Sequence, residues 1–201
     1  MAKNVSRYPY RINASILYNQ TDDYSLSESE FYRLYSFFVT YSCCGNQSMK
    51  KRCFADYGWY SFARSICSKD EPNRDVYLKD RLSEIIDLED KANFVFISDS
   101  DDIAICFQNC NLADGPLADK LVERAVIGKT SEPSKFLKLF YRIRDGLAHG
   151  KFILKYNENN EKMVIIQDDD GHFVTARLII KLSTLLEIIS AVDKNQLISV
   201  A

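Results

Sequence analysis

Histidine is almost missing from this chain: His149 and His172 are the only two in 201 residues. No carboxylate-and-histidine cluster with metal-ligand spacing can be read from so few, so neither a metal nor another cofactor is expected. Charge of one sign is missing too. The formal net charge is −2, which leaves no global positive field, so any polyanion would have to be met by a local groove. No stretch approaches about 20 uncharged apolar residues, and no membrane span is expected. Met1 to Arg11 carries no apolar core of signal-peptide length, and the expected location is the cytoplasm. The six cysteines, Cys43, Cys44, Cys53, Cys67, Cys106 and Cys110, contain no C-x-x-C. In that compartment they read as reduced thiols and not as a disulfide frame, and their spacing is poor for zinc.

What is present is ordinary for a soluble globular protein: 46% hydrophobic and 27% charged residues, enough for one domain with a full core. There are no repeats or low-complexity tracts. Residues 1–26 are polar and tyrosine-rich and read as an N-terminal arm that docks through Tyr8, Tyr10, Ile16 and Leu17. Residues 27–195 read as a single domain. Ser27 with Glu30 is a capping-box pattern, and Phe31, Leu34, Tyr35, Phe38 and Tyr41 follow at helical spacing. Further helices are expected over Phe54 to Cys67, Asp75 to about Asp90, Ile103 to Cys110 and Leu117 to Ile127. Phe94 to Ile97 fits a strand or a buried connector. Pro133 suits the first turn of another helix, with Phe136, Phe140, Ile143 and Leu147 as its core stripe. Phe152 to Tyr156 and Met163 to Gln167 flank a polar loop and predict a β-hairpin. A last helix is expected from Val174 to Val192, with Leu178, Leu182, Leu185, Ile189 and Val192 in one stripe. The expected fold class is therefore mainly α, a helical bundle with a small β-hairpin before the C-terminal helix.

The segment richest in chemistry ends the helix that Pro133 opens: Arg144, Asp145, Gly146, Leu147, Ala148, His149, Gly150. A histidine near a helix end usually caps carbonyls or answers the helix dipole. Here an arginine and a carboxylate lie within one turn of it, and Gly146 and Gly150 allow close approach of a ligand or another chain. At about 100° per residue, Arg142 falls about 20° from His149, whereas Arg144 lies on another side. Arg144 joins His149 if the helix unwinds after Gly146, or if its long side chain wraps round the edge.

Arg144-Asp145 with His149 resembles the motif of the HEPN superfamily, an arginine with a polar residue after it and four to six residues between that arginine and a histidine. The segment from Arg144 to Phe152, followed by a hairpin and an apolar helix, looks most like the plasmid- and defence-associated members. The likeness spans about residues 133–192. It implies a HEPN-type helical bundle and a metal-independent endoribonuclease, a toxin or phage-defence effector, with a composite site in a homodimer. An antitoxin or a nucleotidyltransferase would be a further partner. The resemblance makes His149 the acid/base group, Arg144 the phosphate clamp and Asp145 the residue that orients them. Arg142 satisfies the looser spacing but is followed by Ile143 and ranks second; Lys151 is a further phosphate-binding candidate. The alternative is a catalytically silent module that dimerises, binds nucleotides or regulates a partner.

RNA suits such a residue set because it carries its own nucleophile. The 2′-hydroxyl attacks the adjacent phosphorus when a histidine takes its proton, and arginine answers the charge that builds on the phosphoryl oxygens. Weaker features have plainer readings. His172 is a turn residue, and Asp168-Asp169-Asp170-Gly171 lacks the rest of a calcium loop and reads as a solvated loop. Lys50-Lys51-Arg52 is a solvated charge run, or else lines an RNA path. The aromatic series from Tyr24 to Tyr41 is core at helical spacing, with base stacking as the other reading.

Overall fold

Five strands stand where a single hairpin was expected. The structure, a computed structural model, describes residues 21–44, 50, 52–59, 77–98, 101–113, 121–169 and 173–198. The arm residues Tyr8 to Leu17, the greater part of the helix expected up to Cys67, the start of the helix expected from Leu117, Lys51, and the 170–172 turn with His172 lie outside the described residues. Among those described, the helices are α1 (Glu28–Leu34), α2 (Leu78–Ile85), α3 (Ile103–Asn109), α4 (Lys135–Ala148) and α5 (Leu182–Val192). A π-helical segment, Tyr35–Thr40, continues α1. The strands are β1 (Phe94–Phe96), β2 (Arg124–Ile127), β3 (Phe152–Tyr156), β4 (Lys162–Asp169) and β5 (Val174–Lys181). They form one mixed sheet in the order β1-β2-β5-β4-β3, with β1 and β2 parallel and the other neighbours antiparallel.

The fold is thus α/β, and the mainly α HEPN-type bundle expected from the sequence is corrected. The hairpin of β3 and β4 is present, but it is only the outer half of a larger sheet. Two expected helices contain strands. The end of the Leu117 to Ile127 helix is β2, buried at all four positions. The first half of the Val174 to Val192 helix is β5, and the helix begins only at Leu182, after an extended Lys181. The physical reason is burial of the sheet on both faces, which replaces the alternation of a half-buried strand by a continuous apolar run. Leu178 then mimics the first position of a helical stripe that belongs to α5. Phe54 to Gly58, expected as the start of a helix, is a run of turns.

Period-two alternation sorts the strand residues into two cores. Val164, Ile166, Leu178 and Ile180 join the large core shared with α1, α2, α4 and α5. Met163, Ile165, Val126 and Ile179 face α3, packing on Phe107 and Leu112. The capping box at α1 is formed: Glu30 N–H donates to Ser27 Oγ, and Ser27 N–H to the Glu30 carboxylate at 2.7 Å. β3 is an edge strand, and the chain just before α1 covers it. Leu154 N–H donates to Asp22 at 2.8 Å and Asp23 N–H to the Leu154 carbonyl at 2.8 Å, which removes a free pairing edge.

Candidate functional site

α4 carries the motif, and its boundaries follow from local chemistry. Ser134 caps it by accepting from Leu137 N–H at 3.2 Å. Pro133 therefore precedes the cap, two positions earlier than its expected place at the start of the first turn. At the other end, His149 is the C-cap and its N–H still reaches the Asp145 carbonyl at 3.1 Å. Gly150 takes a φ of +65°. Gly150 N–H bonds the Leu147 carbonyl at 3.2 Å and Lys151 N–H the Gly146 carbonyl at 2.8 Å. That paired closure is a Schellman motif, which favours glycine at this position.

The helix does not unwind after Gly146, contrary to the expectation that would have turned Arg144 toward His149. Gly146 serves the sheet. A Cβ there would fall inside the Ile166 side chain and lie 3.1 Å from the Gln167 carbonyl. Gly146→Ala should therefore destabilise the fold by about 1–3 kcal/mol of overpacking, less about 1 kcal/mol of regained helix propensity. A lower denaturant midpoint at unchanged slope would register it; an unchanged midpoint would mean that Ile166 makes room.

No polar face opposes the core stripe. Phe136, Phe140, Ile143 and Leu147 are buried as expected, but so are Arg142, Arg144, Asp145 and Gly146. The helix is sandwiched between the π-helical segment, where Phe37 and Phe38 meet Phe140 edge-on, and β4. Its polar side chains are accordingly paired. Arg142 reaches Asp168 of β4, with Thr175 Oγ1 at 3.1 Å and the Lys129 carbonyl at 2.9 Å. Arg144 donates to its neighbour Asp145. Lys151 binds Asp169 at 2.6 Å. Two consecutive aspartates of β4 are thus held from opposite faces of the sheet, which corrects the reading of Asp168 and Asp169 as a solvated loop.

Of the five expected site residues, the structure brings Arg144 and Asp145 together and sends Arg142 and Lys151 to separate carboxylates. His149 alone is exposed. It stands four residues after Asp145, where side chains of a helix are neighbours. Tyr141 lies four residues before Asp145 and shares a side-chain hydrogen bond with it. Burial, and then the negative charge of Asp145, raise the Tyr141 hydroxyl above its ordinary range. Tyr141, Asp145 and His149 form one row along α4, steadied by Arg144. The spacing of four marks that row in the sequence once the helix is known; the sequence reading passed over Tyr141.

No family model, curated protein or solved structure matches this chain. The site's chemistry must therefore be argued from its own groups. Cys44 sits close enough to feel the charges of both Arg144 and Asp145; burial pushes its thiol up to about 11, so it stays protonated at neutral pH. Ser42 Oγ lies 3.2 Å from that sulfur. Arg52, expected in a solvated run, lies over the Tyr41 ring at 4.2 Å, whereas Lys50 is exposed. Among the described residues no group of three His, Cys, Asp or Glu side chains is placed to hold a metal ion, and no helix is long and apolar enough to cross a membrane.

Proposed function

We propose that the exposed end of α4 cleaves RNA, with His149 as the proton-transfer group. The observation that supports this reading is the division of labour along the motif. Arg144, Asp145 and Leu147 are buried and packed or paired, whereas His149 is the one exposed motif residue with a proton-transfer group, and a carboxylate lies one turn beneath it. In the proposed reaction His149 takes the proton of a 2′-hydroxyl. That oxygen attacks the adjacent phosphorus, the P–O5′ bond breaks, the 5′-oxygen leaves with the proton returned by the imidazolium, and a 2′,3′-cyclic phosphate and a 5′-hydroxyl remain. In this proposal Asp145, one helical turn before His149, orients the imidazole. Arg144 holds Asp145 in place, a positioning role where the family resemblance implied a phosphate clamp.

Burial of α4 also restricts how two copies can meet. The helix presents Ala148, His149 and Gly150 to solvent, with Arg142 to Leu147 buried. A composite site would therefore join two α4 ends and not two helix lengths.

The engagement of Arg142, Arg144 and Lys151 by carboxylates favours a second reading, a silent interaction module. Total RNA incubated with the purified protein in EDTA separates the two. Cleavage to cyclic-phosphate ends, absent on an all-deoxy substrate, supports the nuclease. Intact RNA at micromolar protein overturns it in favour of the module.

A further inference from the structure

The motif's cations are engaged by carboxylates of the protein itself, so attraction to phosphate is a poor source of affinity at this end of the molecule. Next to it lies a different resource. Phe31 on α1 is 49% exposed and its neighbour Tyr32 45%, although aromatic residues of this size are ordinarily buried. One face of the Phe31 ring is covered by Tyr35, with centroids 4.2 Å apart and planes inclined by 26°. Tyr35 in turn donates its hydroxyl to the Leu147 carbonyl at 3.1 Å, the carbonyl that also receives Gly150 N–H at the cap of α4. A stacked pair of rings, its Phe31 member half-exposed, is thus tethered to the turn that presents His149.

We infer that Phe31, backed by Tyr35, is the platform on which an unpaired nucleobase stacks while its neighbouring phosphodiester lies at His149. This rests on the reading of that site as RNA-directed. The charges around the ring suit a base and not a backbone. Glu28 is exposed one turn before Phe31 and repels phosphate, whereas Glu30 is bound to Lys162 at 2.9 Å. Stacking is tolerant of sequence, because every base has a π-face. The occupant is therefore a single strand whose bases are free, since those of a duplex are already stacked. Binding should depend weakly on salt, because few counterions are released where few phosphates are contacted.

The test uses the full chain, an oligoribonucleotide carrying 2-aminopurine, and His149→Ala protein so that binding is read without cleavage. Quenching of the 2-aminopurine on binding is the expected signature of stacking. Phe31→Ala should weaken binding of the single strand about 5- to 100-fold, and Phe31→Trp should restore it. In the His149-containing protein Phe31→Ala should raise KM with little change in kcat. Unchanged affinity and unchanged KM in Phe31→Ala overturn the platform even if the RNA is cleaved. Phe31-dependent quenching without any cleavage by the unsubstituted protein keeps the platform and removes the nuclease. A Phe31→Ala chain that sediments at half the mass of the unsubstituted protein, with unaltered RNA affinity, shows a face between copies and overturns the inference.

Discussion

His149→Ala should lower the rate of RNA cleavage by about 10²–10⁴-fold, the usual loss when a general acid/base is removed. The fold should survive unchanged. The side chain lies outside both cores, and the cap that His149 occupies is closed by backbone bonds of Gly150 and Lys151 that do not involve the imidazole. Unchanged circular dichroism and an unchanged thermal midpoint beside a lost rate would place the effect in the chemistry. The comparison is best made at saturating RNA, so that weakened affinity is not taken for lost turnover. A variant that cleaves at the unsubstituted rate would refute the assignment of this motif to catalysis.

Arg142→Ala should instead act on stability, and strongly. Its guanidinium is buried against Asp168, Thr175 and the Lys129 carbonyl. Truncation leaves Asp168 as an uncompensated charge at 6% exposure, a change that typically costs about 3–5 kcal/mol. For a chain of this size that corresponds to a fall of about 6–20 °C in the unfolding midpoint. The double variant Arg142→Met with Asp168→Leu should recover much of the loss, because removing both charges removes the unpaired one. A single variant as stable as the double would mean that water reaches Asp168 and that the pair contributes little. Arg144→Ala also leaves a buried carboxylate, Asp145, without its partner and should lose stability too; what sets it apart should be a lower kcat in the protein that remains folded, because Asp145 lies one turn below His149. The two arginines thus share a cost in stability and differ in turnover, whereas helical phase alone had placed Arg142 beside His149.

What could be read directly from the residues is local in physical origin. The capping box at Ser27, the turn that joins β3 to β4, the apolar stripe of α4 and the helix at Ile103 depend on contacts within a few residues, and each is found close to its expected place. Gly150 was expected to allow close approach of a ligand or another chain, but it serves as a left-handed cap with a φ of +65°, a position that favours glycine. The exposure of His149 follows from that cap.

The tertiary structure alone decided the sheet and the partners of the charged motif residues. β1, β2 and β5 are stabilised by strands far away in sequence, Phe94 beside Ala125 and Arg124 beside Ile179. Burial on both faces erases the alternation that would have announced β2 and β5, whereas β1 had already fitted a strand or a buried connector in the sequence. The arginines were misjudged for a related reason. Asp168 lies 26 residues beyond Arg142, on a strand whose tail looks like a solvated acidic loop when considered alone. A charged side chain on a helix is solvated or buried according to what packs against that helix. Local sequence reports which residues can share a face; only the approach of α4 to β4 determines that this face is closed to water and that its charges must find each other.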